Sequence, residues 1–171
     1  LFSTRSRNLR ILREFVEDRS DSYAGLREAV DGLTPSDFGY QVTGPLEQAG
    51  VLSDELSTEL IDYWAARFFT DRYCQHDDPI EGSAEFVRLC HEAGGLVYYL
   101  TGRHVGGMEH GTLSALIRCG FPCCRGRVEL HLKPDFHMPD GKFKTQAVED
   151  IRSHCGEVVA TFENEPGHAN R

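Results

Sequence analysis

Three short segments carry the residue types that handle phosphate. Thr101-Gly102-Arg103 follows the apolar run 96–100, Lys133 follows the run 128–132 with Lys144 beyond it, and Glu163-Asn164-Glu165 follows the run 158–162. A threonine hydroxyl and the free N–H groups after it can hold a phosphoryl oxygen, and Gly102 lets the backbone approach closely. A lysine sets a compact positive charge against that group. Glu163, Asn164 and Glu165 offer hard oxygen donors of the kind that take Mg2+. Each segment also has a plainer reading: a strand-to-helix turn, a solvated lysine, and an acidic helix cap ahead of Pro166. Arg103 has two roles open to it, orienting a substrate or pairing with an acid. Lys144 is favoured over Lys133 because an amine near the start of a helix can reach back toward the strand ends.

These segments need elements to position them. From residue 78 onward helix and strand alternate: helix 82–93 stopped by Gly94-Gly95, strand 96–100, helix 111–119 closed by Gly120 and Pro122, strand 128–132, helix 143–154 ended by Gly156, and strand 158–162. Such alternation predicts an α/β fold, a three-layer Rossmann-like parallel sheet wrapped by helices, with ligands beyond the carboxyl ends of its strands. The run 96–100 reads as a strand buried on both faces. Before residue 78 the periodicity is helical. Leu9, Leu12, Phe15 and Val16 make one stripe over 5–18, Thr34-Pro35-Ser36-Asp37 has the form of a helix start, and Ser53-Asp54-Glu55 opens a helix carrying Leu56, Leu60, Ile61, Trp64 and Phe68. Tyr63, Trp64, Phe68, Phe69 and Tyr73 read as core of this helical part, with outer members able to line a cleft. Asp77-Asp78 reads as a hinge or cap before the next helix.

Composition narrows the classes. The 171 residues carry 18 Lys and Arg against 27 Asp and Glu, a formal charge of −9, which disfavours nucleic-acid and anionic-membrane partners. The longest apolar run, Leu96-Val97-Tyr98-Tyr99-Leu100, is far short of the roughly 20 residues of a membrane span. No leader opens the chain, so a cytoplasmic location with reduced thiols is expected for the six cysteines. Cys119-x3-Cys123-Cys124 lacks paired zinc-ligand spacing and reads as thiols packed under a helix end. The only methionines are Met108 and Met138, so Leu1 is not a translation start. Three strands are also few for a doubly wound sheet, and missing strands at both ends are expected.

Taken in order, the three segments resemble the haloacid dehalogenase-like superfamily. Val97-Tyr98-Tyr99-Leu100-Thr101-Gly102-Arg103 resembles its second motif, Lys144 its third, and Val158-Val159-Ala160-Thr161-Phe162-Glu163-Asn164-Glu165 its fourth. The resemblance implies a core of residues 1–4 and 78–171 with a helical cap, 5–77, inserted after the first motif. It implies a Mg2+-dependent phosphohydrolase acting on a small phosphorylated substrate, with Thr101, Gly102, Arg103 and Lys144 on the phosphoryl group. Glu163, Asn164 and Glu165 would then hold the metal. The first motif, an Asp-x-Asp strand bearing the nucleophile, is not in this sequence, and the resemblance places it just upstream of Leu1. Family members more often carry Asp where Glu163 and Asn164 stand. The alternative is a module of the same fold that binds or regulates without catalysis.

Overall fold

A computed structural model describes residues 1–123, 126–154 and 157–163. The first half is helical. Helix α1 (Arg5–Arg19) buries Leu9, Ile11, Leu12, Phe15 and Val16 along one face. Helix α4 (Asp54–Phe68) packs on it, started by the Ser53 hydroxyl, which accepts from the Leu56 N–H at 3.1 Å. Short helices α2 (Leu26–Val30) and α3 (Gly44–Gln48) close this layer. The Thr34-Pro35 start yields only a 3-10 turn, Pro35–Asp37, with its capping box formed. Leu12, Leu26, Leu46, Leu56 and Leu60 meet in one apolar cluster. Asn8 is buried within this half and accepts from Trp64 Nε1 at 2.9 Å, so that its amide oxygen is satisfied.

The second half is built on one βαβ unit. Strand β3 (Val97–His104) runs parallel to β4 (Val128–Lys133), and helix α7 (Val105–Arg118) makes the crossover. Helices α6 (Ser83–Glu92) and α8 (Asp140–His154) flank the pair. Val87, Tyr99, Leu116 and Phe121 form a second cluster, on which Cys119 and Cys123 rest. Cys74, Cys90 and Cys119 are free thiols, while Cys124 and Cys155 lie outside the described residues. Burial pushes the buried Cys74 thiol up, keeping it protonated.

The three-layer parallel sheet expected from the sequence is not what forms. Among the described residues helix accounts for 56% and strand for 11%, in two sheets of two strands each. One is β3–β4; the other pairs β1 (Phe2–Ser3) antiparallel with β2 (Asp78–Pro79). Residues 158–162 make no strand, and Val159 and Phe162 are 87% and 75% exposed. A strand exists only within a ladder, and apolar composition alone cannot supply the partner that satisfies its N–H and C=O groups. For the same reason β3, hydrogen-bonded to one neighbour, is partly buried rather than covered on both faces, with Tyr99 its only fully buried member. Helix α7 begins at Val105, six residues before its expected start, because Gly106 and Gly107 extend the helix where they read as loop.

Glycine permits the closest contact between the halves. Helix α5 (Asp71–Cys74) lies on α7 where Gly111 has no side chain, and the Gly111 N–H donates to Asp71 Oδ1 at 2.6 Å. A methyl group at Gly111 would overlap the Asp71 backbone, which cannot rotate away. Gly111→Ala is therefore expected to lower unfolding free energy in urea by about 1–3 kcal/mol. Gly106→Ala, whose nearest neighbour is 3.8 Å away, is expected to be neutral or slightly stabilising.

In the helical half, Glu14 takes a hydrogen bond from the Tyr73 hydroxyl and another from Arg10 Nε at 2.7 Å. Burial pushes its carboxyl up, but these partners outweigh it and hold it below its ordinary 4.5. A carboxylate depressed in the fold stabilises above its unfolded value and loses that contribution as pH falls. The stability gap between wild type and Glu14→Gln, measured by urea unfolding, is expected to shrink steadily from about pH 6 to about pH 3.

Candidate functional site

Beyond the carboxyl ends of β3 and β4 the backbone departs from regular pairing. Thr101 faces Leu132 and His104 faces Lys133, so three steps along β3 match one along β4. Gly102 and Arg103 form the resulting bulge, and the Arg103 N–H folds back to donate to Thr101 Oγ1 at 3.3 Å.

Two sequence-selected positions, Gly102 and Lys133, meet at this bulge through a third residue, Asp140. The carboxylate of Asp140, first residue of α8, lies against Gly102 so closely that a methyl there would overlap it. Lys133, 7% exposed, donates from Nζ to Asp140 Oδ1 at 2.8 Å. Lys144 stands one helical turn after Asp140, on the same face of α8, and donates to Glu163 Oε2 at 2.6 Å. Asp140 thus joins Gly102 and Lys133 at the bulge, while Lys144 and Glu163 pair one turn further along α8. Lys133 is linked to the bulge through Asp140, and Lys144 stands four residues beyond that acid on α8.

Arg103 takes the second of its two open roles. Its Nη2 donates to Asp77 and its Nη1 to Thr112 Oγ1 at 3.1 Å. Asp77 is wholly buried and is shared with Arg7, whose Nε reaches Oδ1 at 2.8 Å and whose other end donates to the Phe68 carbonyl at 2.9 Å. Arg118 holds the same segment by its backbone, donating to the Asp77 and Gln75 carbonyls at 2.8 and 3.0 Å. Asp77 is thus an ionic centre joining α1, β3 and α7 rather than a hinge.

The Mg2+ implied by the resemblance would draw on Glu163, Asn164 and Glu165. Glu163 is paired with an ammonium group, and Asn164 and Glu165 lie outside the described residues. Among the described residues no three His, Cys, Asp or Glu side chains group to hold a cation. An open cleft of about 650 Å3 on the helical half is lined by Glu14, Glu17, Asp18, Arg67 and Arg72, but it lies away from the strand ends. Its Tyr63 hydroxyl donates to Asp18 at 2.8 Å, and burial with that bond pushes the phenol up to about 12, so it stays protonated at neutral pH.

No protein-family model, curated protein or solved structure matches this chain. Among the described residues no helix is long and apolar enough to cross a membrane.

Sequence reasoning passed over Asp140 and Phe136. Asp140 had a readable signal, an acid four residues before Lys144 at the head of a helix. Phe136 had none beyond the adjacent His137, since Phe69 and His104 are distant in sequence. Asp77 was noticed, but its burial cannot be read from the pair Asp77-Asp78. Asp77→Asn leaves two guanidinium groups without a counter-charge and is expected to cost about 3–5 kcal/mol in urea unfolding. Asp78→Asn, at an exposed site touched by the Ser6 hydroxyl, is expected to cost less than about 1 kcal/mol.

Proposed function

We propose that the bulge of β3 and the head of α8 form the phosphoryl-holding side of a phosphomonoester hydrolase of the haloacid dehalogenase-like type. The observation that carries this reading is the Asp140 carboxylate seated between Gly102 and Lys133. A corner that holds a carboxylate oxygen against glycine backbone and an ammonium group has the chemistry to hold a phosphoryl oxygen. In this reading the Thr101 hydroxyl, one residue before Gly102 on β3, and Lys144, one turn along α8, are the further donors that a dianion requires. The resemblance assigns the attacking aspartate to a strand preceding Leu1, and the helical residues 5–77 to a cap that excludes water. A small phosphorylated substrate in the cytoplasm is the partner this reading names, and the charge of −9 disfavours nucleic acid.

A second reading has its own observation. Both carboxylates described at the site, Asp140 and Glu163, are neutralised by lysines, which suits a module that recognises phosphate without turning it over.

One pair of measurements separates the readings. The 171-residue chain is expected to bind inorganic phosphate in calorimetry, and Thr101→Ala and Lys144→Ala to weaken that binding about tenfold or more. A protein that joins these residues to the upstream Asp-x-Asp strand this reading requires is expected to hydrolyse p-nitrophenyl phosphate, with each substitution lowering kcat about 10²–10³-fold. Phosphate binding without hydrolysis supports the non-catalytic module. Absence of phosphate binding in the wild-type chain rejects both.

A further inference from the structure

The loop between β4 and α8 presents an aromatic surface beside this corner. Phe136 is 44% exposed, and its ring centroid lies 5.8 Å from Lys133 Nζ. Three rings surround it at steep angles: Phe69 at 5.1 Å and 74°, His104 at 5.3 Å and 78°, and His137 at 5.2 Å and 82°. They come from separate places, the end of α4, the last residue of β3 and the loop itself.

Two of these rings are held from behind. His104 lies against Gly107, where a Cβ would come within 2.9 Å of its ring, and Phe69 precedes the α5 segment clamped on Gly111. The cluster also continues through Phe69 to Trp64, at 5.4 Å, in the helical half. An exposed phenylalanine with three aromatic neighbours leaves apolar surface in water, and a flat unsaturated ring is the shape that covers such a surface with favourable edge and face contacts. The Lys133 amine, which holds the Asp140 carboxylate at 2.8 Å, is next to it, so a molecule whose phosphoryl oxygen takes the place of that carboxylate spans Lys133 and Phe136 with its ring on the latter.

We infer that this site takes phosphomonoesters carrying a flat aromatic ring, and that Phe136 with Phe69, His104 and His137 forms the ring subsite. The inference rests on the phosphate reading above and adds the class of substrate. Phenyl phosphate carries the ring directly on the ester oxygen, and adenosine 5′-monophosphate carries it beyond a sugar. The cluster accommodates whichever span matches the distance from Lys133 to the Phe136 face.

The test uses the 171-residue chain and calorimetry with four probes: inorganic phosphate, ribose 5-phosphate, phenyl phosphate and adenosine 5′-monophosphate. At least one ring-bearing probe is expected to bind about tenfold tighter than both ring-free probes, as a single stacked ring typically provides. In Phe136→Leu, which keeps an apolar side chain but removes the ring, that ratio is expected to fall below about threefold. The ratio within each protein is the readout, so a general loosening of the fold does not imitate the result. Phosphate binding with no preference for either ring-bearing probe overturns this inference and leaves the phosphate reading standing. The same preference in Phe136→Leu as in wild type overturns the ring subsite, leaving the aromatic cluster as packing between the halves. No binding of any probe overturns both.

Discussion

The carboxylate of Asp77 is the constraint on which the arrangement of this chain depends. It is fully buried and receives guanidinium groups from α1 and from the bulge of β3, while Arg118 of α7 grips its backbone. A buried charge of this kind adds little net stability compared with an apolar replacement of equal volume. It is nevertheless intolerant of rearrangement, because every geometry that separates the three partners leaves a charge uncompensated. The helical half and the βαβ half therefore meet in one register. Arg7 stacking over the Phe68 ring at 4.5 Å and the bare Gly111 against α5 reinforce that register with shape.

This ionic centre also shapes the candidate site. Arg103 is one of the two residues that β3 extrudes between Thr101 and His104, and its attachment to Asp77 and Thr112 anchors the bulge to the interior. The extruded turn exposes Gly102 to the head of α8, where Asp140 and Lys133 close on it. His104, the next residue, caps α7 and stands in the aromatic cluster. One arginine withdrawn into the interior thus fixes the position of a hydroxyl, a glycine and a histidine at the surface.

The parts that were legible from residue order are those decided locally. Helices α1, α4 and α6 follow from apolar stripes and from the caps and stops that bound them, and Ser53 behaves as its position implies. Strands β3 and β4 follow from short apolar runs, although their ends do not, since Gly102 to His104 continue the strand past the apolar stretch. The expected third strand fails because 158–162 carries the composition of a strand and lacks a ladder to join. The site residues Thr101, Gly102, Lys144 and Glu163 were chosen for chemistry at strand ends. The link from Gly102 to Lys133 required knowing that α8 begins at Asp140 rather than at Phe143.

What the order of residues determined alone is the inventory: a negative chain, two styles of periodicity divided near Asp78, and oxygen and amine donors spaced at the ends of apolar runs. Those properties are local, and each can be judged from a few neighbouring side chains. Only the tertiary structure decided which cation each acid would meet. Asp77 finds Arg7 across 70 residues and Arg103 across 26, and Phe136 finds Phe69 across the boundary between the halves. Such pairings depend on how closely helices can approach and on which charges the packing withdraws from water, quantities that exist only once the chain has folded.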